Sequence, residues 1–180
     1  MAQERTQLMV PAVALATAVH AAVALSATPQ TVTTDVTDPA CYRAVSVKGN
    51  QGGIAGNVVV TGTDWYGSTI ADTIALSGAS VVAGVRPFRA VTSIALPALT
   101  GAGDTVSVGI ADVFGLYGSI TASADVMLQE RAVSGATEFT IEAVGNVNTT
   151  YDTVATAITA GDRIRWTYLD SGVAVADTVR

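Results

Sequence analysis

The sequence predicts an all-β chain: a β-sandwich, immunoglobulin-like or jelly-roll-like, with an extended N-terminal arm and at most one short helix. Two observations predict this class. Short runs rich in valine, isoleucine and threonine recur at intervals of about 8 to 12 residues, which is the strand spacing of sandwiches and barrels. The 17 glycines and 5 prolines of the chain divide these runs, as turn residues do.

The N-terminal part of the sequence predicts an arm followed by a strand. One bulkier face recurs with the period of a strand, with small residues and His20 between its members: Val19, Ala21, Val23 and Leu25. We expect residues 1–16 to form an arm lying on a neighbouring subunit, because free termini are rarely ordered. Residues 17–180 would then form a single sandwich domain. A helix over the alanine-rich run is the alternative interpretation.

The stretch 57–76 predicts a β-hairpin. Two runs rich in β-branched residues, NVVVTGTD and STIADTIAL, flank a turn made of Trp65, Tyr66 and Gly67. Glycine accepts the positive φ that such a tight turn requires. Because alternate strand residues point to the same side, one face of the second run is formed by Ile70, Asp72, Ile74 and Leu76.

Further strands are expected on both sides of this hairpin. Their ranges are 30–37, 44–50, 81–91, 92–99, 105–110, 124–133, 136–145 and 162–172. Gly84 and Pro87 indicate a bulge or an edge within the third of these ranges.

The C-terminal part of the sequence predicts two strand faces and the one helix. In 136–145 the apolar, inward face would be Phe139, Ile141 and Ala143. In 162–172 the corresponding residues are Ile164, Trp166 and Tyr168. Residues 149–162 predict a short helix that Gly161 ends.

Composition favours a protein that contacts other protein. Charged residues make up 13% of the chain, against roughly 25% in average proteins, and interface cores are depleted of charge. The net charge of −6 excludes the basic stripe that nucleic-acid binding requires. We therefore expect no nucleic-acid partner.

Few residues of the sequence could support catalysis or hold a metal. There is one cysteine, Cys41, and one histidine, His20, so neither a disulfide nor a His/Cys metal cluster can form within the chain. Turn aspartates such as Asp35 and Asp38 are expected to cap backbone groups rather than bind calcium. We predict no enzyme activity, no catalytic residues, no cofactor and no bound metal.

The apolar run 8–27 imitates a secretory signal or a membrane span. Glu4 cancels the charge of Arg5, and Pro11 and His20 interrupt the run. Alanine also contributes little membrane affinity. We expect no membrane partner.

The aromatic pair at the hairpin turn admits two interpretations. Trp65 and Tyr66 could fold back and close one end of the core, which is the preferred interpretation, or they could contact another molecule. Taken together with apolar residues of the arm and of one later strand, the interface candidates are Leu8, Met9, Val10, Trp65, Tyr66, Arg86 and Phe88.

Residues 35–116 contain a series of turn and strand motifs, including VTGTD, a phenylalanine before VTSI, and GDTVSVG. With these motifs the segment resembles accessory virion proteins of tailed bacteriophages, of the head-decoration or cement kind. The matching positions are Asp38, Pro39, Arg43, Thr61 to Asp64, Gly67, Phe88, Val91 to Ile94, Gly103 to Gly109, Gly115 and Leu116. The sequence departs from the pattern where Ala40-Cys41-Tyr42 replaces a second proline and Ser68 replaces an asparagine.

The resemblance implies a structural virion protein that decorates and stabilises the outer shell of a phage head. It implies two partners, the major capsid protein and further copies of this chain in a homo-oligomer. The protein would be made in the host cytoplasm and would function on the capsid surface. A tail or neck subunit, and a secreted sugar-binding or adhesive β-sandwich, stay open as alternatives.

Overall fold

The structure, a computed structural model, describes residues 2–172 and is all-β and sandwich-like. The predicted fold class is confirmed. Within the described residues, the one helical element is a 3-10 turn at Ser123–Asp125.

The strands of the described residues follow one another along the chain. They are β1 Gln3–Met9, β2 His20–Ala24, β3 Gln30–Val32, β4 Arg43–Gly49, β5 Asn57–Thr63, β6 Thr69–Ala75, β7 Val81–Phe88, β8 Ala90–Leu96, β9 Thr105–Gly115, β10 Val126–Ala132, β11 Thr140–Glu142, β12 Asn146–Asn148, β13 Thr153–Ala155 and β14 Arg163–Asp170.

The chain divides into two compact units. The inner unit comprises Ala14–Ala111, and the terminal unit comprises Met1–Val13 together with Asp112–Arg180. Strand β9 begins in the inner unit and ends in the terminal unit. The expectation of a single domain over 17–180 stays a prediction.

Two sheets enclose the core of the inner unit. One has the strand order β3-β8-β5-β6, and the other contains β7, β4, the first part of β9 and, beside β9, β2. Valines and isoleucines from both sheets form one buried cluster, for example Val45, Val60, Ile94 and Val106. The inner unit is therefore itself a small sandwich.

The predicted hairpin is confirmed as β5 and β6. The two strands pair from Asn57 opposite Ala75 to Thr63 opposite Thr69, and Gly67 has φ of 85° in the turn. The prediction of a shared face is also confirmed, and that face points inward, because its four members are buried: Ile70, Asp72, Ile74 and Leu76.

Asp72 links the two sheets of the inner unit. Its carboxylate Oδ2 accepts hydrogen bonds from the backbone N–H of Val85 at 2.8 Å and of Arg86 at 3.0 Å, both on β7. A buried carboxylate is costly unless hydrogen bonds replace its water. The one charged residue of β6 is thereby used to join that strand to β7.

The terminal unit is built on a sheet with the strand order β1-β14-β10-β11. The predicted inward face of β14 is confirmed, since Ile164, Trp166 and Tyr168 are all buried. The end of β9, followed by β13 and β12, adds further strands. Phe114 of β9 packs against Trp166 with 5.7 Å between the ring centroids.

A buried polar network stabilises this core. The indole N–H of Trp166 donates to Gln129 Oε1 at 2.8 Å, and Gln129 Nε2 donates to Glu142 Oε1 at 2.6 Å. Arg131 pairs with Glu142 at 2.9 Å and with Asp162 at 2.8 Å. Because buried polar groups cost free energy unless they are hydrogen-bonded, this network fixes how β10 and β14 pack.

Two predictions for the C-terminal part are wrong. Residues 149–162 contain no helix; Thr153–Ala155 form β13, which pairs with β9 on one side and β12 on the other. The backbone N–H and C=O groups that would have been hydrogen-bonded within a helix are hydrogen-bonded between strands instead. Ile141 does not point inward but is 74% exposed, because its neighbour Glu142 points towards Gln129 and Arg131 and adjacent strand residues point to opposite sides.

The expected N-terminal arm contains a strand of the terminal unit. Strand β1 pairs with β14 from Gln3 opposite Asp170 to Met9 opposite Ile164. The side chains of Gln7 and Met9 are buried there.

The fold explains why glycine is required at position 62. The register between β5 and β8 shifts between Thr61 and Gly62, and a Cβ on Gly62 would overlap the carbonyl oxygen of Ala90 and lie 2.8 Å from the Phe88 ring. Gly53, in contrast, has no neighbouring atom within 4 Å of such a Cβ.

We expect Gly62→Ala to lower the free energy of unfolding by about 3 kcal/mol, because the overlap forces the strands apart. Gly53→Ala is the matched control and should leave it unchanged or raise it by up to about 1 kcal/mol. Urea titration monitored by circular dichroism measures both. Equal midpoints for the two variants would contradict the proposed packing.

Candidate interaction surface

The outward side of the β3-β8-β5-β6 sheet consists of small, uncharged residues. Residues directly opposite one another in an antiparallel pair point to the same side, so the registers define this side: Val59 opposite Ala95 and Thr61 opposite Ser93. We name it the Thr/Ala face, formed by Thr31, Asn57, Val59, Thr61, Thr63, Thr69, Ala71, Thr73, Ala75, Ser93 and Ala95, all exposed or half-buried.

No charged side chain projects from the Thr/Ala face. The four strands contain one charged residue, Asp72, and its side chain is buried on the other side of the sheet. Edge strands that remain in solvent commonly carry lysine and other charges, which prevent association. Depletion of charge is the compositional mark of the centre of a protein interface.

The corresponding sheet of the terminal unit shows the opposite pattern. Glu130 and Arg165, which face each other on β10 and β14, form two hydrogen bonds of 2.7 and 2.8 Å. The guanidinium carbons of Arg163 and Arg165 lie 5.1 and 4.5 Å from the centroid of the Phe139 ring. One chain therefore carries one charged sheet face and one uncharged sheet face.

The tip of the β5–β6 hairpin carries two exposed aromatic residues. Trp65 is 37% exposed and Tyr66 is 62% exposed, so the prediction that they close an end of the core is wrong. The Trp65 ring lies 6.1 Å from that of Tyr42, and the Arg89 guanidinium lies 5.4 Å from its centroid.

The backbone of this tip is held by one aspartate. Asp64 Oδ1 accepts hydrogen bonds of 2.8 Å from the backbone N–H of Tyr66 and of Ser68. Such side-chain-to-backbone bonds rigidify turns. The aromatic side chains are therefore presented on an ordered turn.

The remaining interface candidates fall into two groups. Leu8 and Val10 are exposed, at 54% and 67%, and Arg86 is half-buried. Met9 and Phe88 are buried core residues, so neither belongs to the exposed surface of the chain. Adjacent strand residues point to opposite sides, which is why Leu8 is exposed while Met9 is buried.

Residues 2–172 contain neither a metal-ligand cluster nor a helix that could span a membrane. No three His, Cys, Asp or Glu side chains of this part of the chain come together as metal ligands. Within the same residues, no helix is both long enough and apolar enough to cross a bilayer. His20 Nδ1 lies 2.7 Å from the carbonyl oxygen of Ala21, and Cys41 is half-buried.

Two carboxylates of the terminal unit, those of Asp152 and Asp170, have pKa values shifted in opposite directions. Burial raises the pKa of Asp152 to about 6, and the negative charge of Asp170 adds to this effect, although the N–H of Ile120 donates to Asp152 Oδ1 at 2.7 Å. Burial would also raise the pKa of Asp170, but the amides of Gly172 and Ser119 and the nearby Arg5 together lower it.

No family model, curated protein or solved structure matches this chain. Fold and surface therefore define its class: an all-β protein with an uncharged sheet face and an ordered aromatic turn. The Thr/Ala face was missed from the sequence, although the signal was present as strands almost free of charged residues.

The raised pKa of Asp152 predicts a pH-dependent stability. Because the pKa is about 6 in the folded chain and 3.8 in the reference state, the folded state binds the proton more tightly, and stability falls as the pH rises from about 4 to about 6. Asp152→Asn keeps the acceptor for Ile120 and removes the charge. Asparagine also tolerates the positive φ of 51° at this position.

We expect Asp152→Asn to raise the free energy of unfolding at pH 7 by about 1 kcal/mol, since partial exposure reduces the full effect of the shift. At pH 4, where the aspartate is already protonated, the gain should vanish. Thermal unfolding at both pH values measures this. A gain of equal size at pH 4 would contradict the assignment.

Proposed function

We propose that this chain is a structural virion protein, a decoration or cement subunit that binds and stabilises the outer shell of a tailed-phage head. The proposal rests on the resemblance of residues 35–116 to such proteins and on the Thr/Ala face. Strands β5, β6 and β8, which form most of that face, lie within the resembling segment. The major capsid protein and further copies of this chain would be the partners.

The uncharged Thr/Ala face is the observation that carries the proposal. Burying charged groups in an interface costs free energy that pairing only partly restores. Threonine and alanine avoid this cost, because methyl groups lose water favourably and hydroxyls can donate or accept hydrogen bonds to a partner. Small side chains also lose little conformational entropy on contact.

The size of the face favours a repeated contact rather than a single tight one. Strands β5, β6 and β8 have seven residues each and β3 has three. With strands about 4.8 Å apart and about 3.4 Å per residue, they cover on the order of 400 Å². A stable complex buries about 800 Å² on each partner. A subunit that binds by this face alone would bind weakly, and linked copies on a lattice would gain from multivalency.

The aromatic turn supplies an anchor at the end of the same hairpin. Aromatic residues are enriched among the side chains that dominate binding energy. Tyr66 and Trp65 project from the turn that joins β5 to β6, the two strands that supply most of the Thr/Ala face. The turn and the face would therefore contact the same partner.

A tail or neck subunit could use the same surface, and it remains the nearest alternative. The secreted sugar-binding or adhesive sandwich is a different class, and one observation favours it. Exposed aromatic rings beside an arginine, as at Trp65, Tyr66 and Arg89, are groups that can stack on and hydrogen-bond to a sugar.

We expect charge on the Thr/Ala face to abolish decoration. Thr61→Lys and Thr73→Lys should each reduce occupancy on heads stripped of the protein by about tenfold or more, because an unpaired ammonium would be buried. Thr6→Lys is the matched control, on an exposed strand position of the terminal unit, and should bind normally. Gel densitometry of sedimented particles gives the occupancy.

Circular dichroism of the three variants establishes that each is folded. Equal occupancy for the Thr61→Lys, Thr73→Lys and Thr6→Lys variants would refute the role of the face. Heads lacking the protein should also lose their DNA at a lower temperature than complete heads. Equal heat resistance would refute the stabilising role itself.

The sugar-binding alternative makes a separate prediction. If it holds, the labelled protein is retained on a glycan array and Tyr66→Ala removes that retention, whereas Thr73→Lys leaves it unchanged. Under the capsid proposal no glycan retains the wild-type protein. Array fluorescence at matched protein concentrations distinguishes the two outcomes.

A further inference from the structure

The N-terminal strand pairs with the last strand of the described chain. Among residues 2–172, strand β1 is the first strand of the sheet order β1-β14-β10-β11 and pairs with β14. Thr6 and Thr167, which are directly opposite each other, have their hydroxyl oxygens 3.4 Å apart. This element thus completes a unit whose other described residues begin at Asp112.

The terminal unit depends on β1 for specific buried contacts. Gln7 is 3% exposed; its Nε2 donates to the Gly115 carbonyl at 3.0 Å and its Oε1 accepts from the Tyr117 N–H at 2.8 Å. Met9 is buried, and Arg5 pairs with Asp170 at 2.5 Å. These contacts specify which strand can occupy this edge of β14.

The segment after β1 is an exposed apolar linker. Val10, Val13 and Leu15 are 67%, 42% and 58% exposed, and residues 10–14 belong to no strand. The chain is held again at Leu15, whose carbonyl accepts from the Ile110 N–H at 3.1 Å. Linkers are commonly polar, so three exposed apolar side chains within six residues of chain offer apolar surface that a second copy can cover.

We propose that β1 is exchanged between two copies of this chain. The strand of one copy pairs with β14 of the other, and reciprocally, so that every contact of Arg5, Gln7 and Met9 is formed again between chains. Such exchange is a low-cost route to a symmetric dimer, because the strand contacts are identical in both forms. The two linkers run past each other and cover Val10 and Leu15, which the unexchanged chain leaves in water.

The linker has the properties that exchange requires. Five residues in extended form span at most about 17 Å, and short hinge segments favour the exchange of an element between chains. Pro11 also restricts Val10 to extended conformations. The proposal is independent of the proposed function, since the Thr/Ala face contains no residue of β1.

A disulfide between the two opposed threonines tests the exchange. The full chain would carry Thr6→Cys and Thr167→Cys in a Cys41→Ser background, and would be purified, oxidised and run on a non-reducing gel. Cα atoms of opposed strand residues are within disulfide range. We expect covalent dimers that return to monomers on reduction. A cross-linked monomer would overturn the proposal.

Two single variants provide the matched control. When Thr6→Cys and Thr167→Cys chains are expressed together, also without Cys41, a mixed disulfide at these positions can form only between copies. We expect it in about half of the mixed population, with none of this mixed product when either chain is expressed alone. If folded protein forms no cross-link in the double variant, the β1–β14 pairing is refuted and the exchange with it. Either result leaves the particle-binding test of the Thr/Ala face intact.

Discussion

The inner unit depends on one buried carboxylate. Asp72 would be unfavourable in a sheet whose neighbouring inward positions are isoleucine and valine, unless its water were replaced. The two amides of β7 replace it, and in doing so they bind the edge strand of one sheet to the edge strand of the other. Because Asp72 faces inward, the alternate residues of β6 must face outward, and the uncharged side of the hairpin follows from this orientation.

The two units divide two physical tasks. The inner unit concentrates small uncharged residues on one sheet face. This composition favours contact with other protein, because the face has no charges that would oppose association. The terminal unit carries paired charges, such as Glu130 with Arg165, on its sheet. An interacting surface and a solvated surface can therefore coexist in a chain whose overall charged content is low.

How far the sequence predicts this molecule depends on how local each feature is. The alternation of residues along β6 and β14 is a local pattern, and it correctly predicts the strand faces on which Asp72 and Trp166 lie. The prediction of a helix near Thr153 is wrong because β13 pairs with β9, a strand distant in sequence. The local residue pattern of the segment carries no sign of that partner. The pairing of Thr6 with Thr167 is equally invisible, since edge partners separated by 161 residues leave no local pattern. The Thr/Ala face required knowing which strands are neighbours.

The β1–β14 pairing has a consequence for synthesis on the ribosome. Strand β1 is translated before the other described strands, but its partner β14 is the last of them to emerge. The inner unit, whose residues are contiguous, can fold while β1 still has no strand to join, as domains commonly fold during translation. On one polysome, neighbouring nascent chains would therefore each carry an unpaired β1. The delay between the synthesis of β1 and that of β14 gives β1 of one chain time to pair with β14 of another.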